Sequence, residues 1–336
     1  MVFQSVIVRM TAIAILGVSC LVAVTPNAAA QTVEVKVDPF DGFDNHVHIM
    51  SPSLVAFWKK AGVPFSKPDS AYSDPAEIAR RLGTSKLKLV SMAYVWGHPE
   101  FGEIEDEEQK VRSENDFVLA AARSIGPKAR AYCGVNPLKD YATDEVNRCA
   151  GKRVEGIKLH FNANQVYLTE PEHVKKLFGV FDQGSKLGLR FLIHFDNSHP
   201  KTGRKDVEIF FREILAKTKG TRIQIAHFGT SGGFTAKTRE IVDAFLEFDS
   251  RKNALSGRHR IKFDISAVAL DKDSEGVSKL TDDEFKRLAV YVRKIGLERV
   301  VFGTDYPLYG ASEYAEVLGS KLGLSAKEIR KISKRN

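Results

Sequence analysis

Cysteine, tryptophan and methionine are scarce in this chain, at three, two and four among 336 residues. So few cysteines exclude a disulfide-stapled scaffold and a thiolate-rich zinc motif. No glycine-rich turn follows the first strand-like segment, where Asn45-His46-Val47-His48 stands instead, so the usual mark of a dinucleotide-binding open sheet is missing. There is no Ser-His-Asp order, no nucleotide loop and no basic patch interleaved with aromatics. The basic excess, 50 Lys and Arg against 42 Asp and Glu, is dispersed except for the tail from Lys327 to Arg335. A solvated helix face accounts for that tail better than a nucleic-acid footprint does. Internal repeats, low-complexity tracts and dividing linkers are also lacking.

Only one long apolar run occurs, from Thr11 to about Val24, and it is shorter than the ~20 residues a spanning helix needs. Ala28-Ala29-Ala30 follows it as a small-residue cleavage signal. The expectation is a signal peptide over residues 1–30, a single domain over 31–336, and a periplasmic or secreted protein without stable membrane insertion. Cys20 would leave with the signal. Cys133, in a predicted strand, and Cys149, near the end of the next helix, are expected to remain as separate buried thiols.

What is present is alternation. Eight short strand-like segments recur: Phe40–Ile49, Leu87–Trp96, Ala129–Asn136, Val154–Phe161, Leu189–Phe195, Arg222–Phe228, Ile261–Ala267 and Arg299–Thr304. Helical patterns separate them, as at Val207, Phe210, Phe211, Ile214 and Leu215, spaced by threes and fours. Thr281 with Glu284, and Ser325 with Glu328, have capping-box spacing. Near-continuous apolar strands, each followed by a helix, suit a parallel sheet covered by helices. Eight such units in a chain of this length give an α/β fold of the (β/α)8 TIM-barrel type. The long connections Met50–Lys86 and Gly97–Gln109 then rise over the catalytic face, as a substrate lid or as packing over the barrel mouth.

Ionisable residues gather at the strand ends that form that face. His46 and His48 share one face of the first strand, Lys158 and His160 one face of the fourth, and His194, His227 and Asp305 end the fifth, sixth and eighth. Singly, each is weak, because a lone His at a strand end is more often a hydrogen-bonded rim residue. Together, burying so many ionisable groups is costly unless something organises them, and a divalent ion accepts imidazole and carboxylate ligands. Trp96, at the end of the second strand, is a candidate substrate contact, and His98 beyond it a candidate pocket residue. His173, His199 and His259 are expected at the surface.

Asp44-Asn45-His46-Val47-His48, Gly156-Ile157-Lys158-Leu159-His160, the two later histidines and Phe302-Gly303-Thr304-Asp305-Tyr306-Pro307 together resemble the amidohydrolase superfamily. The likeness is to its amidohydrolase-2 branch, which includes aminocarboxymuconate-semialdehyde decarboxylase-like enzymes. That resemblance implies His46, His48, His194 and Asp305 as metal ligands, with Asp305 and His227 catalytic and Lys158 and His160 near the substrate. It implies one divalent ion, zinc foremost, with two as the alternative if Lys158 is carboxylated. The activity implied is hydrolysis of a C–N or C–O bond (amide, cyclic amide, lactone or ester) in a small molecule by a metal-activated water. Decarboxylation of a small carboxylic acid is the alternative, followed by a non-catalytic exported binding protein. The sequence offers no nucleic-acid partner and leaves homo-oligomerisation open.

Overall fold

A computed structural model describes residues 40–250, 259–274 and 276–336; the expected signal peptide and Cys20 lie outside them. Eight parallel strands run in sequential order around the sheet: β1 (Asp44–Ile49), β2 (Leu87–Ser91), β3 (Arg130–Gly134), β4 (Gly156–His160), β5 (Arg190–His194), β6 (Arg222–Ile225), β7 (Arg260–Asp264) and β8 (Val300–Val301). The barrel closes beyond β8, where Asn45 N–H donates to Phe302 O, Asp305 N–H to His46 O and His48 N–H to Tyr306 O. These bonds seat Asp305 directly beside the histidines of β1.

Each strand leads into helical structure that packs its apolar face on the outside of the barrel. The helices include α1 (Pro52–Lys60), α2 (Pro75–Leu82), α3 (Glu107–Ile125), α4 (Ala142–Gly151), α5 (Pro171–Lys186) and α6 (Arg204–Ile209). They continue with α7 (Ala236–Ser250), α8 (Asp282–Ile295), α9 (Ala311–Leu322) and α10 (Ala326–Ile332). The expected caps are formed: Thr281 and Ser325 each exchange bonds with the Glu three residues on. Phe181 of α5 stacks on Phe191 of β5 with 3.9 Å between ring centres, typical of the sheet–helix core. Among the described residues, no helix is long and apolar enough to cross a membrane.

Two expectations fail locally. Cys133 and Cys149 form a disulfide across 6.5 Å between their Cα atoms. The reason is the βα unit itself: α4 returns along the outside of β3, so a residue late in the helix meets the strand's outward face. β2 is also shorter than the pattern suggested. It stops at Ser91, and residues Ala93–Gly97 wind into a tight helical turn instead. That turn joins α1 and the segment beyond it in a second apolar cluster over the barrel mouth, containing Leu54, Trp58, Tyr72, Tyr94 and Trp96.

Candidate active site

The parallel register brings the strand-end residues together. His160 on β4 pairs directly with His194 on β5, and their rings stack at 3.9 Å. His46 and His227 stack at 5.1 Å between centroids, and the His48 ring lies 4.9 Å from that of His46. Asp305 faces them, with Oδ1 at 3.1 Å from His48 Nε2 and 3.4 Å from His46 Nε2, and Oδ2 at 3.9 Å from His227 Nε2. Asp305 and His227 both hold left-handed backbone, at φ 53° and 51°. Non-glycine residues rarely accept this conformation, which costs on the order of 1–3 kcal/mol and clusters at functional sites.

The second nitrogen of each central imidazole is committed. His46 Nδ1 lies 2.8 Å from Asp264 Oδ2, and His227 Nδ1 lies 2.8 Å from the Ser266 carbonyl, which can only accept. Both rings therefore carry their proton on Nδ1 and turn an Nε2 lone pair inward. Gly303 makes this contact possible, because a Cβ there would fall 2.8 Å from His46 Cβ and 3.0 Å from Asp264 Oδ1.

Burial sets the charges. It pushes His46 down to about 3, helped by the Lys158 charge and opposed by Asp305 and Asp264. Burial likewise holds His160, His194 and His227 below the ordinary histidine range. For Asp305 burial opposes ionisation, but His227, His46 and His48 more than offset it and hold its carboxyl well below the usual range. Lys158 is pushed down to about 8 by burial, against the pull of Asp305 and Asp264. Its Nζ lies 3.4 Å from His46 Nε2.

The inward Nε2 lone pairs of His46 and His227 thus face the Asp305 carboxylate, a group of donors that suits a cation among them. Asp305 Oδ1 is buried without an aligned hydrogen-bond donor, as an oxygen reserved for such an ion would be. His46, His227 and Asp305 place their donor atoms within 4.8 Å of one another, and His48 adjoins them. The donor set fits a divalent metal.

The amidohydrolase family model matches residues 44–336. The chain belongs to the amidohydrolase family. No curated protein matches it. Solved structures similar to this amidohydrolase include 5-carboxyvanillate decarboxylase from Sphingomonas paucimobilis, at 14% identity and TM-score 0.54 over 87% of this chain and 96% of that one. A dihydroxybenzoic acid decarboxylase from Polaromonas with bound manganese aligns at 15% identity and TM-score 0.56, over 89% of this chain and 95% of that one. A candidate 2-pyrone-4,6-dicarboxylic acid hydrolase from Pseudomonas putida aligns at 16% identity and TM-score 0.54, over 87% and 93% respectively. At these identities the likeness is one of fold.

The other expected residues of the amidohydrolase divide. A cavity of about 570 Å³ opens above the cluster, lined by His48, Lys158, His160, His194, His227 and Asp305 at its floor and by Trp58, Phe65, Tyr72 and Tyr94 on its walls. His160 Nδ1 accepts from Ala163 N–H, so its Nε2 is the protonated nitrogen. His194 Nε2 lies 3.0 Å from Ser231 Oγ, which donates to Asp196 Oδ2. His227 completes the compact donor group with His46 and Asp305 in this arrangement, and the His194 ring adjoins it 5.2 Å from that of His227. Trp96 does not line the cavity. The early end of β2 turns it into the overlying cluster, where its ring packs on Phe57 at 4.7 Å, and Tyr94 and Trp58 face the cavity in its place. His98 caps the next turn through Glu100 N–H, outside the cavity lining, and His259 is buried rather than on the surface, with Nε2 at 3.0 Å from Leu215 O.

The pattern of strand ends overlooked Asp264. It is the last residue of β7, three residues before the expected strand end at Ala267, and the alternation Ile261, Phe263, Ile265 draws attention to the apolar face instead. Burial would raise its carboxyl, but His46 and then His227 hold it down to about 2.

Proposed function

We propose that this amidohydrolase is a metal-dependent decarboxylase of a small, flat carboxylic acid. The observation that carries the reading is the cavity's division of labour: imidazoles, Asp305 and the buried Lys158 form its floor, and aromatic rings form its walls. Lys67 and Lys272 also reach it, against one further acid at Asp273. An anionic, planar molecule would match that surface in charge and shape. Several similar structures are those of decarboxylases acting on carboxylated phenols, and this supports decarboxylation over the hydrolysis anticipated from the motifs.

His46, His48, His227 and Asp305 are the residues that would hold the ion, with His194 adjoining. When bound, a divalent ion would supply Lewis-acid charge to the substrate's oxygens; manganese, as in the Polaromonas structure, and zinc both accept this donor set. Lys158 would orient the departing carboxylate by charge. The C–C bond to that carboxylate breaks, carbon dioxide leaves, and a proton takes its place on carbon. His227 and Asp305, 3.9 Å apart, are placed to share and deliver that proton. The aromatic walls would limit water at the reacting carbon.

Hydrolysis of a C–O bond stays as the second reading. Asp305 Oδ1, buried without an aligned donor, could accept a proton from water as well as pass one to carbon. One experiment separates the two. Protein loaded with Mn2+ or Zn2+ is incubated in D2O with a panel of hydroxybenzoates, carboxylated methoxyphenols and pyrone lactones. The expected result is carbon dioxide release with one deuterium at the vacated ring position. Ring opening without carbon dioxide would replace this reading with hydrolysis, and inertness of all classes in metal-loaded protein would overturn it.

Export from the cytoplasm is part of the same proposal. The charge-poor, apolar segment before Ala30 supports it, and the Cys133–Cys149 disulfide is of a kind that persists in oxidising compartments.

A further inference from the structure

Below the donor cluster, the inside of the barrel carries a chain of buried polar side chains with no part in the chemistry above. Lys88 on β2 is fully buried. Its Nζ donates to Gln224 Oε1 at 2.6 Å and lies 4.6 Å from the centre of the Tyr132 ring. Gln224 on β6 donates through Nε2 to Asp264 Oδ2 at 2.7 Å and to Asn45 O at 3.1 Å. Asn336 Nδ2 donates to Gln224 Oε1 at 3.2 Å. Asp264 in turn faces His46 Nδ1 at 2.8 Å through the same Oδ2, while its Oδ1 accepts from Ser266 N–H at 2.8 Å.

The direction of every bond in this chain is forced. The Asn45 carbonyl and the Asp264 carboxylate only accept, so the Gln224 amide NH2 must point toward them and its carbonyl toward Lys88. Asp264 then stays an acceptor held at both oxygens, and His46 must give it the Nδ1 proton.

A competing partner is in reach. Ser266 Oγ lies 3.2 Å from His46 Nδ1 and 3.1 Å from His227 Nδ1. If Asp264 swung away, the Ser266 hydroxyl could donate to His46 Nδ1, and the imidazole proton would move to Nε2. That proton would point at Asp305 and occupy the lone pair a metal needs.

We propose that Lys88 and Gln224 are positioning residues which, by pinning Asp264 from the barrel floor, fix His46 as the Nδ1–H tautomer and so keep its Nε2 available to a cation. The inference rests on the reading that His46 is a metal ligand, but its first test does not need the metal. Chelator-treated protein labelled with 15N at histidine gives the His46 tautomer directly from two-bond proton–nitrogen correlations. The wild-type protein carries the His46 proton on Nδ1. Gln224→Leu and Lys88→Met shift it in part to Nε2, and Mn2+ affinity, read from the electron-paramagnetic signal of free Mn2+, falls about tenfold, as for other outer partners of metal ligands. A purely structural role would lower the melting temperature and leave the tautomer unchanged.

A wild-type His46 protonated on Nε2 overturns the proposal without any variant. So does either folded variant that keeps both the Nδ1–H tautomer and the wild-type Mn2+ affinity. If wild-type protein takes up neither Mn2+ nor Zn2+, the metal reading of the function fails, and the tautomer comparison still decides this one.

Discussion

Asp305 combines four properties that seldom meet in one residue: burial, left-handed backbone, three imidazoles within 4 Å, and an oxygen with no aligned donor. Asp305→Asn keeps its size and removes its charge and its capacity to carry an exchangeable proton. The expected outcome is a protein that folds and still takes up metal through the histidines, with turnover down about 100-fold or more. Retained turnover in a steady-state assay on the substrate found in the D2O screen would remove Asp305 from proton transfer. Asp305 was legible in the sequence, with His194 and His227, because each stands where an apolar run stops, and His46 and His48 because their spacing puts them on one face of a strand. Asp264 and Gln224 were not legible. Gln224 lies within β6 and Asp264 ends β7 short of the expected strand end, where one polar residue in a short strand looks like an outward-facing position, and only barrel closure shows that they face inward. Trp96 was misplaced for a related reason: its position on the alternating pattern lost its meaning once the chain left β2 at Ser91.

The elements themselves were legible to within a few residues, since eight apolar runs separated by capped helical patterns admit few arrangements. Their ends were less so, because closure beyond Val301 depends on single bonds such as Asn45 N–H to Phe302 O. The β3–α4 unit shows what spacing alone conceals. Cys133 and Cys149 are 16 residues apart, and nothing in that interval says whether the helix returns with its second cysteine facing the strand. The disulfide should contribute about 3 kcal/mol by restricting the unfolded chain. Protein beginning at Gln31 should show no titratable thiol when unfolded without reductant. Reductant, or Cys149→Ala, should lower the denaturant midpoint by an amount corresponding to that energy. Two free thiols, with a midpoint indifferent to reductant, would mean the bridge does not form.

At the scale of the whole molecule, the barrel gathers on its axis and mouth ionisable groups that the unfolded chain exposes to water, and this sets the response to acid. His46 is held at about 3 and His98 at about 4, both by burial, while His160, His194 and His227 are lowered in the same direction. A histidine with a folded value below its ordinary 6.5 binds its proton more readily when unfolded. Stability from these groups is therefore complete above about 6.5 and is lost as pH falls below it. Buried carboxyls act the other way. Burial raises Asp44 and Glu114 to about 7, so each binds a proton in the folded state that the unfolded chain has released, and each favours the fold as pH drops from about 7. With His173 also lowered, and Asp206 and Asp249 also raised by burial, six imidazoles against four carboxyls leave the unfolded state binding more protons near pH 5 to 6. Metal-free protein should therefore unfold at progressively lower urea concentration between pH 7 and 5. Bound metal competes with protons for the same imidazoles, so saturating Mn2+ or Zn2+ should raise the urea midpoint at pH 7 and do so less at pH 5. A midpoint in metal-free protein that stays flat or rises over this range would mean that the imidazoles are not held neutral in the folded barrel. The lone-pair argument for a cation among His46, His227 and Asp305 would then fail with them.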